Sequence, residues 1–371
     1  MMGICCNPFT QHALQGNPNA QLLSTQQCST EDSQQEPETT QTKKRSWCRK
    51  SWITLFLFLV VMVLVCLLEY FKDIILIWKI DPVPTPHMSV ETQEKFLVEY
   101  PQKYHFILDL PERCREENPF LVLMVPVAPF NRQARDAIRS TWGSEKQVLG
   151  KEVRLFFLLG LPKGEGAENL QEKVLEESIE HRDLLQSDFI DCYKNLTIKT
   201  MVMMEWLSSR CPNASYAMKI DSDMFLNVNT LVSMLLTSAE KQNYMTGQVA
   251  VGAAVLRDPN SKWYLPWEAF PESVYPPYAL GLGYVFTLDL PGKLVEASRH
   301  VKAVYIEDVY LGLCMRHLGI RPKDPPSWKL FQGYTSYPSR CHYNYVITTI
   351  LWNSQQLLDV WKEFKRPGAA C

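Results

Sequence analysis

Short apolar runs that alternate with helical patterns fill the C-terminal two thirds of the 371-residue sequence, and this alternation most constrains the fold. The runs at residues 120–127 (FLVLMVPV), 153–159 (VRLFFLL) and 216–220 (YAMKI) are rich in β-forming residues and typical of buried strands. Helical patterns occur at residues 132–142, 169–182 and 196–209. Strands that alternate with helices predict an α/β domain with a mostly parallel central sheet, which we place at residues 116–371.

An uncharged and almost wholly apolar run of eighteen residues lies at 51–68 and is long enough to span a bilayer. Basic residues cluster directly before it, at 43–45 and 49–50, so the positive-inside rule predicts a cytosolic N-terminus. The run begins about fifty residues into the chain and lacks a small-residue cleavage site, which disfavours a cleaved signal peptide. We therefore predict a transmembrane signal-anchor helix over residues 51–70, with a single-pass, type II topology.

The segments on either side of this predicted helix lack the pattern of a folded domain. Residues 1–50 are dominated by polar side chains, whose burial cannot offset chain entropy, and are predicted to be a disordered cytosolic tail. Residues 71–115 contain five prolines and are predicted to be a lumenal stem. The formal net charge of -2 argues against a nucleic-acid-binding protein, which normally has a strong basic excess.

Six cysteines follow the predicted membrane segment, at positions 114, 192, 211, 314, 341 and 371. In an oxidising lumen they are expected to form disulfides, and the sequence leaves their pairing open. None of the six belongs to a CxxC pair, which disfavours a structural zinc site. The sequons that begin at Asn195 and Asn213 lie on the same side of the membrane segment and are predicted N-glycosylation sites.

The strongest local signal is the acidic triplet Asp221-Ser222-Asp223, which follows the predicted strand at 216–220. Open α/β sheets bind ligands at the carboxyl ends of their strands, and residues two apart in extended chain face the same side. Both carboxylates can therefore meet one divalent cation, which in turn can bridge to diphosphate oxygens. The alternative is an acidic turn that caps the next helix.

A second acidic pair, Glu307-Asp308, begins a helical pattern that extends to about His317. A carboxylate on a rigid element at the mouth of a site can act as a general base on an acceptor hydroxyl. Carboxylates in the first turn of a helix also stabilise the helix dipole, so the pattern leaves both interpretations open.

Two further segments carry candidate binding residues. Gly281 and Gly283 lie among aromatic residues at 275–286 (YPPYALGLGYVF), where glycines allow a ligand to approach the backbone closely. A turn that precedes a strand explains this segment equally well, and it lacks the third glycine of a dinucleotide-binding fingerprint. Arg135 and Arg139 are four residues apart on a predicted helix, so they share a face that can meet phosphate or carboxylate groups.

Six segments, in order, resemble those of the β-1,3-galactosyltransferases, the inverting enzymes of glycosyltransferase family 31. They begin at residues 135, 156, 188, 218, 275 and 307, and their sequences are RDAIRSTWG, FFLLG, DFIDCYKNLTIKT, MKIDSDMFLN, YPPYALGLGYVF and EDVYLGLC. The resemblance covers nearly all of residues 120–320. It implies a GT-A-type nucleotide-sugar-binding domain, anchored in the membrane of the Golgi apparatus. It also implies Mn2+-dependent transfer from a UDP-sugar donor to a glycan acceptor, with inversion at the anomeric carbon.

The resemblance also implies roles for individual residues. Asp221 and Asp223 would be the metal ligands, with Asp223 as the more direct one. Asp308 would be the catalytic base, with Glu307 as the second candidate. The residues implied near the donor nucleotide are Arg135, Arg139, Lys219, Asp221 and Ser222. Those implied near the sugars are Tyr278, Gly281, Gly283 and, on the acceptor side, Trp263.

One part of the family pattern is missing. Family members have a histidine shortly after a C-terminal strand of the Val-Ile-Thr type, where it completes the metal site. Here residues 346–349 (VITT) are followed by Ile350-Leu351-Trp352, and the nearby His342 is the candidate substitute. The metal site is therefore expected to be completed differently or to be lost.

The expected reaction is transfer of galactose from UDP-galactose in β-1,3 linkage to an N-acetylglucosamine-type acceptor on glycoprotein or glycolipid glycans. The DSD form of the triplet, with Lys219 two residues before it, favours galactose as the transferred sugar. One alternative is an N-acetylglucosaminyl- or N-acetylgalactosaminyltransferase of the same fold. Another is a catalytically silent binding partner in the Golgi, which the missing histidine favours. The acceptor glycan and any homo- or hetero-oligomer are left open by the sequence.

Overall fold

The computed structural model describes residues 60–65, 98–115, 118–334, 339–369 and 371. The chain divides into two compact units, of which one spans Pro8–His87 and the other includes Met88–Cys371. In the smaller unit, residues 60–65 are helical and exposed. The rest of the predicted transmembrane helix and the whole predicted tail lie outside the described residues. Within the part of the chain that is described, no helix is both long and apolar enough to cross a membrane.

The larger unit is a mixed α/β fold around a large, mostly parallel sheet, which confirms the predicted class. The sheet has eight strands. In chain order they are β1 (Phe106–Leu108), β2 (Leu121–Pro126), β3 (Gln147–Val148), β4 (Lys151–Leu161), β5 (Leu184–Ile190), β6 (Tyr216–Ile220), β8 (Met245–Ala250) and β9 (Tyr278–Thr287). A separate two-stranded sheet pairs β7 (Met224–Leu226) with β10 (Thr348–Ile350) in antiparallel orientation.

The strand order in the large sheet is β1-β5-β4-β2-β6-β9-β8, with β3 paired to β4. The strands β5, β4, β2 and β6 run parallel, as the alternation of strands and helices predicts. The flanking strands β1 and β9 run antiparallel to β5 and β6. The carboxyl ends of four parallel strands therefore meet at one edge of the sheet, where ligands bind in folds of this kind.

The helices of the larger unit connect these strands. They are α1 (Glu112–Arg115), α2 (Arg132–Ser140), α3 (Ala167–His181), α4 (Leu196–Arg210), α5 (Val228–Thr237), α6 (Leu290–Ser298), α7 (Glu307–His317), α8 (Arg340–Tyr345) and α9 (Ser354–Phe364). The three helices predicted from residues 132, 169 and 196 correspond to α2, α3 and α4, with ends that differ by one or two residues.

Two apolar cores lie on opposite faces of the sheet, because successive side chains of a strand point to opposite sides. On β2, Val122 and Met124 belong to one core, whereas Leu123 and Val125 belong to the other. The first core includes residues of α4, which is apolar on most of its surface and is buried accordingly. A strand buried on both faces explains why the run at 120–127 shows no polar alternation.

Two disulfides, Cys114–Cys211 and Cys341–Cys371, confirm the expected bonding for four of the six cysteines after the predicted membrane segment, whereas Cys192 and Cys314 form no disulfide with another described residue. The first bond joins α1 to the residue that follows α4, and Cys114 is buried. Because β1 also pairs with β5, residues 106–115 belong to the folded unit, although the predicted stem extends to residue 115. The short length of β1 and α1 explains why no clear periodicity marks them in the sequence.

We expect the double substitution Cys114→Ser/Cys211→Ser to lower the free energy of unfolding by about 2–4 kcal/mol, measured by urea denaturation. The bond closes a segment of 97 residues, and its loss returns the corresponding chain entropy to the unfolded state. The matched control is Cys341→Ser/Cys371→Ser, which opens a segment of 30 residues. Its loss of stability is expected to be about 1 kcal/mol smaller. Unchanged stability in the first variant would contradict the prediction.

Candidate active site

The acidic triplet and the acidic pair, which are distant in sequence, meet at the carboxyl end of β6. Lys219, the second-to-last residue of β6, is buried. Its ammonium group donates to Asp221 Oδ1 at 2.7 Å and to Glu307 Oε1 at 3.0 Å. It also donates to the carbonyl oxygen of Gly281 on β9. One buried cation thus joins the triplet, β9 and the start of α7. We use the name acidic cluster for Lys219, Gly281 and the acidic residues Asp221, Asp223, Glu307 and Asp308.

Glu307 lies at the buried centre of the acidic cluster. Besides the bond from Lys219, its carboxyl group accepts hydrogen bonds from Thr200 Oγ1 at 3.2 Å and from the Tyr284 hydroxyl at 3.3 Å. Burial raises the pKa of Glu307 to about 7, in spite of the opposing effect of the Lys219 charge. Lys219, Thr200 and Tyr284 surround this carboxyl group, so its main role is to hold these three side chains in position.

Asp308 is held by two backbone amides. Gly281 N donates to its Oδ2 at 2.9 Å and Val309 N donates to its Oδ1 at 2.8 Å. Burial raises the pKa of Asp308, and these two hydrogen bonds oppose that rise. Burial and the charge of Asp308 raise the pKa of both Tyr193 and Tyr278 to about 12, so both phenols lie within electrostatic range of this carboxylate. Asp308 is therefore oriented by the backbone, and its charge acts on two aromatic side chains.

Gly281 and Gly283 lie inside β9, so the alternative of a turn before a strand does not apply to them. A Cβ atom at position 281 would lie 2.6 Å from Glu307 Oε1, so a side chain there would require the hydrogen-bonded Glu307 carboxyl group to shift. A Cβ atom at position 283 would lie 3.3 Å from Met218 Cε. The structure thus explains Gly281 by its packing against Glu307, a reason different from the predicted approach of a ligand.

The triplet Asp221-Ser222-Asp223 does not cap the next helix. That role belongs to Asn227, whose Oδ1 accepts a hydrogen bond from Thr230 N at 3.0 Å at the start of α5. The side chain of Asp221 is 42% exposed, and Asp223 opens to solvent. Partial burial and the charge of Asp221 raise the pKa of Asp223. The two carboxylates therefore form an electronegative, accessible pair that favours a bound cation.

These carboxylates fit a cation that is shared with a ligand. Lys219 binds Oδ1 of Asp221, which leaves the other oxygen of Asp221 and both oxygens of Asp223 as hard ligands. Among the described residues, no three or more His, Cys, Asp or Glu side chains are grouped to hold a metal ion by themselves. His342, on α8, does not complete such a group, and burial lowers its pKa. A cation held by these two carboxylates would take its other ligands from a substrate or from water, as Mg2+-type sites with one or two carboxylates do.

Arg135 and Arg139 belong to a separate ion-pair network. The Arg135 side chain is 1% exposed and binds Glu177 in bidentate fashion, at 2.7 and 2.6 Å. It also donates to the carbonyl oxygens of Ala128 and Pro129. Arg139 binds Glu177 and, at 2.8 Å, both oxygens of Asp183. The helix face that Arg135 and Arg139 share thus contacts the carboxylates of Glu177 and Asp183. The position of Arg135 therefore gives no support to the predicted contact with the donor nucleotide.

Lys199 is a second buried lysine, and the sequence patterns did not indicate it as a candidate site residue. Lys199 on α4 donates to Asp191 Oδ2 at 2.7 Å and to the Val127 carbonyl oxygen at 2.9 Å. Gly160 N donates to the same Asp191 oxygen at 2.7 Å. The three strand ends of β2, β4 and β5 are thereby tied to α4. The available signal was a lone lysine in an otherwise apolar part of a helix.

Trp263 lies in the segment between β8 and β9. Tyr305 holds this segment through its hydroxyl group. The Tyr305 hydroxyl contacts the carbonyl oxygens of Lys262 and Tyr264, each at 2.9 Å. The Trp263 side chain is 46% exposed. Besides burial, the charge of Asp308 raises the pKa of the Tyr193 hydroxyl, whereas a hydrogen bond with Trp263 lowers it, so Tyr193 lies beside Trp263 and within electrostatic range of Asp308. The structure therefore brings Trp263 and Tyr278 to the Asp308 side of the acidic cluster.

The two predicted glycosylation sites differ in their surroundings. Asn195 donates its side-chain amide to the Ile190 carbonyl oxygen at 2.8 Å, and Thr197 of the same sequon is buried. Asn213 is exposed in a turn that follows Cys211. In the folded protein, Asn213 is the more accessible of the two.

Comparisons with known proteins agree with this arrangement. A family model described as galactosyltransferase matches residues 133–326. The β-1,3-galactosyltransferase 2 of Homo sapiens is 39% identical over 272 residues, which cover 72% of this chain and 64% of that protein. The β-1,3-galactosyltransferase 1 of Mus musculus is 37% identical over 266 residues, which cover 71% of this chain and 79% of that protein. The chain belongs to the galactosyltransferase family, although its match spans less than two thirds of the length of the first relative.

We expect Arg135→Met alone to lower the free energy of unfolding by about 3–5 kcal/mol, because it leaves the buried Glu177 charge without its main partner. The double substitution Arg135→Met/Glu177→Leu is expected to recover most of this loss, as measured by urea denaturation. Titration with UDP should give the same affinity for the double variant as for the unchanged chain. Recovered stability with lost UDP binding would instead show that Arg135 contacts the nucleotide.

Proposed function

We propose that this chain is an inverting β-1,3-galactosyltransferase that moves galactose from UDP-galactose to an N-acetylglucosamine-type acceptor. The observation that carries the proposal is the acidic cluster, in which Lys219 links the triplet directly to Glu307 and, through Gly281, to Asp308. Such a cluster puts a cation-binding pair and a candidate base in one site. Family membership and the names of the two relatives support the sugar and the linkage.

In the proposed GT-A-type domain, Asp221 and Asp223 would hold Mn2+ together with the diphosphate oxygens of the donor. When bound there, the ion supplies positive charge that stabilises the leaving diphosphate. Lys219 has its donors engaged by Asp221, Glu307 and Gly281, so its proposed part is to orient Asp221 rather than to bind phosphate. Ser222 lies between these two carboxylates in the chain and is partly exposed, so it would lie near the same donor.

Asp308 is the proposed general base. It takes the proton of the acceptor hydroxyl as that oxygen bonds to the anomeric carbon, and the bond from this carbon to the diphosphate breaks with UDP as the leaving group. Because attack comes from the face opposite the diphosphate, the anomeric configuration inverts. The amides of Gly281 and Val309 fix the carboxylate direction, which reduces the entropy cost of alignment.

The side chains beside Asp308 form the proposed acceptor wall, made of Tyr193, Trp263 and Tyr278. Their rings offer apolar faces and hydroxyl or indole donors at the place where the acceptor sugar must present its hydroxyl. Tyrosine phenols are protonated at neutral pH, and burial raises the pKa of Tyr193 and Tyr278 further, to about 12. Both can therefore donate hydrogen bonds to sugar oxygens.

We also propose that residues 51–70 anchor the chain in the Golgi membrane, with residues 1–50 in the cytosol and a stem between the anchor and the lumenal catalytic domain. Disulfides persist in oxidising compartments, and the two disulfides of the folded unit support a lumenal location. Asn213 is the preferred glycosylation site because it is exposed, whereas the Asn195 sequon is partly enclosed.

A transfer assay on the full chain tests this function. We expect UDP release from UDP-galactose in the presence of an N-acetylglucosamine-type acceptor, dependent on added Mn2+, with the product linkage read by NMR. Consumption of UDP-N-acetylglucosamine or UDP-N-acetylgalactosamine alone would change only the donor sugar. If no UDP-sugar is consumed with any divalent cation, the enzyme proposal fails and a silent binding partner becomes the better description.

The proposed base is tested by Asp308→Asn, which is expected to lower kcat by about 10²- to 10⁴-fold because the amide cannot accept the proton. The affinity for UDP should stay close to that of the unchanged chain, as measured by titration. Asp324→Asn, a change at an exposed carboxylate outside the acidic cluster, serves as the control and should leave kcat unaltered. Near-normal turnover of the Asp308 variant would move the base to Glu307.

A further inference from the structure

Two exposed aromatic side chains, Tyr334 and Trp352, contact each other on the triplet side of the acidic cluster. Their side chains are 66% and 68% exposed, and their ring centroids are 5.4 Å apart with an interplanar angle of 35°. Each aromatic side chain of this size can bury about 150–250 Å² of surface. A pair that contacts itself and stays open to solvent keeps most of that surface available to a ligand.

The backbone ties this aromatic pair to the triplet. Leu351 N donates to the carbonyl oxygen of Asp223 at 2.8 Å, so Trp352 follows the residue that is bound to the triplet. Ile350 N donates at 2.7 Å to the carbonyl oxygen of Gly333, the residue before Tyr334. Tyr334 therefore follows a residue that is bonded to β10, the strand that pairs with β7 directly after the triplet. Trp352 follows a residue that is bonded to Asp223 itself. Consecutive Cα atoms are about 3.8 Å apart, so the Trp352 backbone lies within one residue of that contact.

Further bonds hold Trp352 in place. Its backbone N–H donates to Gln356 Oε1 at 2.7 Å, and Gln356 N donates in turn to Asn353 Oδ1 at 2.9 Å at the start of α9. Thr349 Oγ1 donates to the Gly333 carbonyl oxygen at 2.8 Å, which adds a second link between the two segments. An exposed tryptophan on such a fixed backbone is presented at low entropy cost, as a binding residue needs to be.

We propose that Tyr334 and Trp352 form a stacking platform for a hexopyranose ring beside Asp223. The proposal rests on the proposed function, since it names the sugar contact of that same site. The negative face of an aromatic ring attracts the polarised C–H groups on one face of a pyranose ring, while the sugar hydroxyls stay available for hydrogen bonds. Two rings are too small a surface for a stable protein partner, which needs about 800 Å² on each side.

The position of the platform favours the galactosyl ring of the donor. A transferase must hold two pyranose rings, and Trp263 with Tyr278 already lies on the Asp308 side, where the acceptor hydroxyl is activated. Tyr334 and Trp352 lie instead on the Asp223 side, where the cation would hold the donor diphosphate. The donor sugar is bonded to that diphosphate, so in the proposed complex it is the pyranose ring nearest to Tyr334 and Trp352.

Calorimetric titration of the full chain in detergent, with Mn2+ present, tests the platform without any need for turnover. The probes are UDP, UDP-galactose and, with UDP saturating, the β-methyl glycoside of N-acetylglucosamine. We expect Trp352→Ala to weaken UDP-galactose binding by about three- to tenfold while UDP binding is unchanged. Trp352→Phe, which keeps a ring face, should lose less. Trp328→Ala is the matched control, because Trp328 is 76% exposed and contacts Lys329 rather than Tyr334.

The outcomes separate the two sugar sources and the two proposals. A loss confined to UDP-galactose assigns the platform to the donor, and a loss confined to the methyl glycoside assigns it to the acceptor. Unchanged affinity for both sugar ligands overturns the platform, as does an equal loss for UDP, which would mean that Trp352 only supports the fold of the triplet. If the chain binds these ligands as expected yet transfers no sugar, the platform stands and the transferase proposal fails.

Discussion

A single buried ammonium group holds the acidic cluster together. The carboxyl groups of Asp221, Asp223, Glu307 and Asp308 repel one another when they are charged, and burial of the Glu307 carboxylate costs several kcal/mol. Lys219 offsets part of both costs because its three N–H donors match three acceptors, on Asp221, Glu307 and Gly281. Asp221 and Glu307 keep the pKa of Lys219 high against the effect of burial. The ammonium group therefore stays charged, and the positions of β6, β9 and α7 depend on it.

Two other buried cations do similar work elsewhere in the larger unit. Arg135 binds Glu177 and links α2 to α3, while Lys199 binds Asp191 and links α4 to the ends of three strands. A buried charge that loses its partner is strongly destabilising, so each pair permits one relative placement of its elements. The ends of the parallel strands, where a donor would bind, are thus fixed by specific bonds in addition to apolar packing.

Local patterns in the sequence were sufficient for several of the longer elements of the fold. The apolar run at 216–220 and the helical pattern from Glu307 gave β6 and α7 with their observed starts, because strand and helix periodicity is carried by neighbouring residues. The meeting of Asp221 with Glu307 followed from the family resemblance and not from any local pattern. The larger unit begins before the predicted boundary, since β1 and α1 are too short to show periodicity.

The partners of individual polar side chains could not be predicted in this way. The pairing of Arg135 with Glu177 could not be foreseen, because the two residues are 42 positions apart and no spacing rule connects them. Gly281 appeared to be a ligand-approach glycine, yet the reason for it is a carboxyl group from α7 that packs against its backbone. Pairings of this kind depend on the tertiary fold, which single-sequence periodicity does not contain.

The pairing of β7 with β10 has a consequence for how the site comes into being. The triplet is synthesised well before β10, because α5, β8, β9, α6, α7 and α8 lie between the two strands. The parallel strands are synthesised first as well, so the backbone of Asp223 lacks its bond from Leu351 until the C-terminal segment has been made. A nascent chain that ends before β10 would contain every carboxylate of the acidic cluster. It would lack β10 and the hydrogen bond from Leu351 to Asp223. Competence to bind a donor would thus be acquired late, when the C-terminal segment docks and the Cys341–Cys371 bond closes it.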